Sequence, residues 1–346
     1  MRRPPTLTAA AVLAALTVPA AAHAAPLELG RGDNTRLRLA EDTLEALDSA
    51  GVRVRPTGDA RGITLLRFPI TGGRLDTATG AGSATHSGGL RFSRGARRLS
   101  VSAPTARIGR TSSISFRVGG RRATLISLDT SDAQVEVRGA NLVISGAAAS
   151  LTSTGARALN RALRTTAFQR GTDLGSVTVD AAPAQVVALR GGRTDLAFDP
   201  AAAAALAQAG VQFGPVPPAA PNADGSVGFP IARNSVVAAG LQTGTINHGG
   251  GLKLVKGAAA ISITDYLVRL SAAPTLGAEV NYAGGRIAVG TLDLSAASPQ
   301  LAGGSVTVGG VGVLLNAAGA AALNSAFGTA FTPGQRLATA TVRATV

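Results

Sequence analysis

"GSATHSGGLRFSRGARRLSVSAPTARIG" (residues 82–109) and "GTINHGGGLKLVKGAAAISITDYLVRLS" (residues 244–271) are two versions of one pattern. Each opens on Gly82 or Gly244, reaches His86 or His248 four residues later, and then passes through glycines into alternating apolar and polar residues. Alternation of this kind places successive side chains on opposite faces of a strand. Glycine-rich breaks between such runs mark turns, so the stretch reads as consecutive antiparallel strands. The chain has only three histidines, and two of them stand at matching places.

The match extends outward from these stretches. "NTRLRLAEDTLEALDSAGVRVRP" (residues 34–56) aligns with "RTDLAFDPAAAAALAQAGVQFGP" (residues 193–215), and "FPI" occurs at residues 68–70 and again at 229–231. "LTSTGARALNRALRTTAFQRGTDLGSVTV" (residues 151–179) aligns with "LNAAGAAALNSAFGTAFTPGQRLATATV" (residues 315–342). The offset drifts only from 159 at Leu37/Leu196 to 164 at Leu151/Leu315. A solenoid repeats every ~20–50 residues, so this is instead duplication of a whole domain. Expected boundaries are 1–24 for an export signal, 25–182 for the first repeat and 183–346 for the second.

Within each repeat an opening strand leads to a short helix. "AEDTLEALDSAG" has acidic residues in its first turn and Gly51 as a stop, and "DPAAAAALAQAG" carries Pro200 in its first turn. Several strands follow, then a second helix in "TSTGARALNRALRT" or "NAAGAAALNSAFGT", with Ala156, Leu159 and Leu163 on one stripe. A last strand closes the unit. The expected fold is mainly β: two tandem antiparallel, sandwich-like domains, each with two short helices. With aromatics at 3% the core must be built from Val, Leu, Ile and Ala, and 44 glycines supply turns for many short strands.

Arg2 and Arg3, the apolar stretch that follows and "AHA" at residues 22–24 have the form of an export signal with a small-residue cleavage site. The expected location is secreted or extracellular, with any cell-surface attachment made by contacts, and no membrane span is expected in the mature chain. Cysteine is absent, which excludes disulfides, thiolate metal sites and cysteine nucleophiles.

The net charge is +14, concentrated in the first repeat, which has 22 basic and 13 acidic residues against 9 and 6 in the second. Such an excess suits an anionic partner, such as a cell-wall polymer, or simply a solvated strand face. Nucleic acid is not expected, because the aromatic platforms of single-strand binders are missing. No G-x-S-x-G elbow, H-E-x-x-H pair or phosphate loop occurs, and no nucleophile–base set repeats, so an enzyme is not expected. What remains is His86, His248 and two tyrosines, Tyr266 and Tyr282. Imidazole and tyrosinate are both haem-iron ligands.

The order "FPITGG" then "GSATHSGGLRFSRGARRLSVSAPTARIG", the helix "LTSTGARAL" and the ending "AFQRGTDLGSVTV" resemble the HtaA domain family. These are exported haem-binding modules of Gram-positive bacteria, often in tandem. The resemblance covers most of each repeat. It implies a haem- or porphyrin-binding protein, with haem or a haem-carrying protein as partner. His86 and His248 are then candidates for the iron side, and Arg91 and Lys253 for the propionates. The chain departs from the family in having no tryptophan, and no tyrosine in either opening strand where the family's haem ligand is expected. The alternative is a cell-surface structural or adhesive module that keeps the fold without a haem site.

Overall fold

A computed structural model describes residues 26–280, 285–302 and 304–346; the expected export signal and Tyr282 lie outside them. The described chain is mainly β, 57% strand and 13% helix, in two antiparallel sheets. Strands from Leu27 to Ala181 form the first sheet and strands from Val186 to Thr345 the second.

The first sheet closes on itself. Its ring runs Leu65–Leu75, Asn34–Leu39, Asp173–Ala181, Asn141–Leu151, Arg121–Asp129, Ser112–Val118, Arg97–Ile108 and Gly82–His86, and the last strand pairs back onto the first. The result is a closed eight-strand barrel. Closure is possible because the long strand Leu65–Leu75 bends at a register shift between Ile70 and Gly72, where Gly72 and Gly73 take φ +151° and +136°. A Cβ at Gly73 would sit 2.1 Å from the Ser83 carbonyl oxygen. The bend thus needs glycine, and it lets one strand pair with two partners at an angle.

The second sheet follows the same order but is a curled sheet. The counterpart of the long strand is split into Val227–Pro230 and Ser235–Ala238. "IARN", residues 231–234, takes the place of "ITGG" and lacks its glycines. Across the gap the chain is held to the neighbouring strand by the isolated pair Ile231 and His248 and by the backbone bond from the Ala232 amide to the Asn247 carbonyl.

Four helices lie at the margins, where the two stripe patterns place them. α1 (Glu41–Ser49) and α2 (Ser153–Leu163) belong to the first repeat, α3 (Pro200–Gln208) and α4 (Ala317–Phe327) to the second. α2 and α4 are capped alike: Thr152 Oγ1 accepts from the Gly155 amide and Asn316 Oδ1 from the Gly319 amide. Ala156, Leu159 and Leu163 are buried, as the stripe requires, and so are their counterparts Ala320, Leu323 and Phe327. No helix among the described residues is long and apolar enough to cross a membrane. The two sheets touch at Thr243, whose hydroxyl donates to the Ala140 carbonyl at 2.6 Å, and at the bridge between Leu29 and Pro183.

Candidate functional site

His86 and His248 are both interior. His86 ends the strand Gly82–His86 and is 5% exposed; His248 follows the strand Gly244–Asn247 and is 6% exposed. Each ring meets a buried threonine of the opening strand: His86 Nε2 lies 2.6 Å from Thr35 Oγ1, and His248 Nε2 2.7 Å from Thr194 Oγ1. His86 Nδ1 also lies 3.2 Å from the Pro104 carbonyl. A carbonyl only accepts, so Nδ1 carries the ring proton and Nε2 accepts from the threonine hydroxyl. Desolvation pulls both imidazole pKa values down to about 4, opposed by the carbonyls of Pro104 and Tyr266 respectively. Both rings are therefore neutral at pH 7.

The histidines thus work as struts. Each ties the strand that bears it to the opening strand, and in the second repeat this bond spans the break between Pro230 and Ser235. His86 has both nitrogens bonded, in a space of about 10 Å³ shared with Phe68, Pro104, Phe116 and Ile126. His248 Nδ1 has no hydrogen-bond partner among the described residues. The Tyr266 carbonyl, which stands where Pro104 stands, already accepts the His248 backbone amide at 2.8 Å.

Arg91 and Lys253 do not join the histidines. Both are exposed, on the strands Gly89–Arg94 and Gly251–Lys256, while their chain neighbours Leu90, Leu252 and Leu254 turn inward. Neither lines a cavity that either histidine touches.

The space around His248 is the larger feature. The interior of the second sheet holds a cavity of about 290 Å³, lined by Thr194, His248, Tyr266 and otherwise almost entirely aliphatic residues. The register matches the residues of the two interiors one to one. Phe116 of the first repeat, packed edge-on to Phe68 at 6.3 Å, corresponds to Ala278, and Ile126 corresponds to Gly290. Small-to-large exchanges elsewhere, Ala84 to Ile246 and Ala106 to Val268, return part of the volume.

The ends differ too. In the first repeat a turn held by the Asp76 carboxylate packs Gly80 against Ile144 so closely that a Cβ would lie 2.7 Å from its Cδ1. In the second, Gly240 and Leu241 with Leu294 and Ala297 line the cavity's end.

Tyr266 was named by the sequence only as one of two tyrosines; its place in the cavity was not foreseen. It sits at a bulge, next to Asp265 with φ +51°, where the pairing register shifts between Thr264 and Leu267. The first repeat has the same bulge at Ala103 (φ +48°) and Pro104. There a proline fills the corner; here a tyrosine swings inward and packs edge-on to Phe229 at 5.2 Å, replacing the missing phenylalanine. Tyr266 is half-buried and lines both the large cavity and a smaller one. Burial pushes its phenol above the usual range, so it stays protonated. The signal that could have found it was the repeat alignment itself: Pro104 against Tyr266 and Phe116 against Ala278.

No family model and no curated protein matches the chain. Among solved structures, the C-terminal domain of HtaA from Corynebacterium glutamicum is similar at 20% identity and TM-score 0.37, over 46% of this chain and 98% of that one. A domain-swapped dimer of a histidine-to-alanine variant of that domain is similar at 16% identity and TM-score 0.31, over 41% and 90%. The haem-binding protein HtaB from the same organism is similar at 14% and 0.30, over 45% and 95%.

Proposed function

We propose that this is an exported ligand-binding protein in which the second repeat carries the site and the first is a filled scaffold. One observation carries the reading: the same interior holds about 290 Å³ of space in one repeat and about 10 Å³ in the other. Well-packed cores leave few voids larger than a water molecule, and small-molecule pockets start near ~300 Å³. The second interior is therefore of ligand size.

Haem is the ligand implied by the family resemblance, and the lining does not suit it. No Lys or Arg lines the cavity, so two propionates taken inside would lose their hydration without a cationic partner. That costs several kcal/mol per charge. His248 Nε2 is held by Thr194 at 2.7 Å. An uncharged apolar molecule meets none of these obstacles.

The test is titration of the purified protein with decane and with haemin, read by calorimetry and by the haem Soret band. The expected result is saturable decane binding at one site per chain and no Soret shift. A Soret band without decane binding would replace this reading with haem binding; binding of neither would leave a surface structural module.

A further inference from the structure

We infer that the ligand of the second interior is an uncharged molecule bearing a hydrogen-bond acceptor, a ketone or ester oxygen, held by the Tyr266 hydroxyl. This rests on the binding role proposed for that interior and names its ligand class. The lining contains no Asp, Glu, Lys or Arg, so nothing there compensates a charge. Its polar side chains are Thr194, His248 and Tyr266; Thr194 bonds His248 Nε2 at 2.7 Å, and His248 Nδ1 and the Tyr266 hydroxyl have no partner among the described residues.

Tyr266 is different. Its ring is fixed by the bulge at Asp265 and by the edge-on contact with Phe229. No hydrogen bond to its hydroxyl occurs among the described residues, and the residue lines both the large cavity and a smaller one of about 70 Å³ beneath α4. Buried tyrosine hydroxyls ordinarily find a partner. A protonated phenol facing aliphatic walls offers an O–H donor, and an acceptor oxygen is its complement. An orphaned donor is costlier to leave than an under-used acceptor, so the ligand supplies the acceptor.

The probes are methyl octyl ketone, decane and decanoate, titrated into the full chain and into Tyr266→Phe, which keeps the ring and its packing. Unchanged thermal unfolding of the variant establishes that it folds. The expected result is about tenfold weaker ketone binding to the variant, unchanged decane binding, and a carbonyl infrared band shifted to lower frequency only in the unmodified protein. Equal ketone affinity for both proteins, with decane still bound, overturns the acceptor inference and leaves the binding role standing. Decanoate binding more tightly than the ketone overturns it as well, because the ligand is then charged. If neither decane nor ketone binds, the binding role fails and the inference with it. Val308→Phe, at a residue that lines the cavity, is the second variant; it should weaken binding of both neutral probes, and unchanged binding would place them elsewhere.

Discussion

The two repeats share a pair of cavities that match and a pair that do not. Beneath the helices, the space under α1 and α2 is about 80 Å³, and its counterpart beneath α4 about 70 Å³. Inside the sheets the figures are about 10 Å³ and 290 Å³. The helix side is preserved because its residues exchange like for like, Leu37 for Leu196, Leu159 for Leu323 and Leu151 for Leu315. The interior diverges where the strand that closes the ring in the first repeat is broken in the second. The comparison teaches that duplication conserves the frame through its backbone pairing and leaves each interior free to drift. The same histidine–threonine strut stands in both.

The largest expected effect would make the first repeat resemble the second. Phe116→Ala removes a ring that is 3% exposed and should cost about 3–5 kcal/mol in denaturant unfolding. It should also create a second decane site. Loss of stability below about one kcal/mol would mean that the first interior repacks and that Phe116 is not what fills it.

Acid is expected to strike both repeats. The folded histidine pKa values, about 4, lie below the ordinary imidazole value of 6.5 that holds in the unfolded chain, so the unfolded state binds more protons between these limits. Stability from burying neutral imidazole is complete above pH 6.5 and is lost as pH falls toward 4. Each histidine contributes about 3 kcal/mol to that fall. Denaturation curves from pH 7 to pH 4 should show the slope, and the double variant His86→Gln, His248→Gln should flatten it. An unchanged slope in that variant would put the acid sensitivity on other groups.

Leu159→Ala and Leu323→Ala probe the conserved helix side. Both residues are buried, at 7% and 5%, and each change should cost about 2–4 kcal/mol, with the two values close. A wide gap between them would contradict the matched packing beneath the helices. The smallest effects belong to the caps: Thr152→Ala and Asn316→Ala should each cost about 1 kcal/mol by the same measurement.

Much of the fold was legible because it depends on local pattern. The alternation in "RRLSVSAP", the acidic first turn of "AEDTLE" and the stripe through Ala156, Leu159 and Leu163 are properties of neighbouring residues, and the elements formed where those signals stand. Closure of the first sheet was not legible. It depends on Gly73 meeting the backbone of Ser83 and Ala84, a contact that no spacing announces. The histidines were visible as a pair, but their role was not. A histidine beside glycines reads the same whether it faces a ligand or, as His86 does, a threonine 51 positions earlier and a carbonyl 18 positions later. Arg91 and Lys253 were nearby in sequence and turn to the outside, because side chains alternate across a strand.

The sequence by itself determined that the chain is two copies of one β-rich unit, that each copy has two helices, and that no cysteine chemistry operates. These follow from periodicity, repetition and composition, which need no knowledge of distant contacts. Only the tertiary structure decided which copy is full and which is hollow. Phe116 and Ile126 come from different strands, and so do Ala278 and Gly290. Phe116 and Ile126 share one space only because the sheet closes and brings them together. Tyr266 gained its position in the same way, from a bulge that turns a strand residue inward across from Phe229. Packing is a sum over residues far apart in the chain, and the fold alone says which terms enter it.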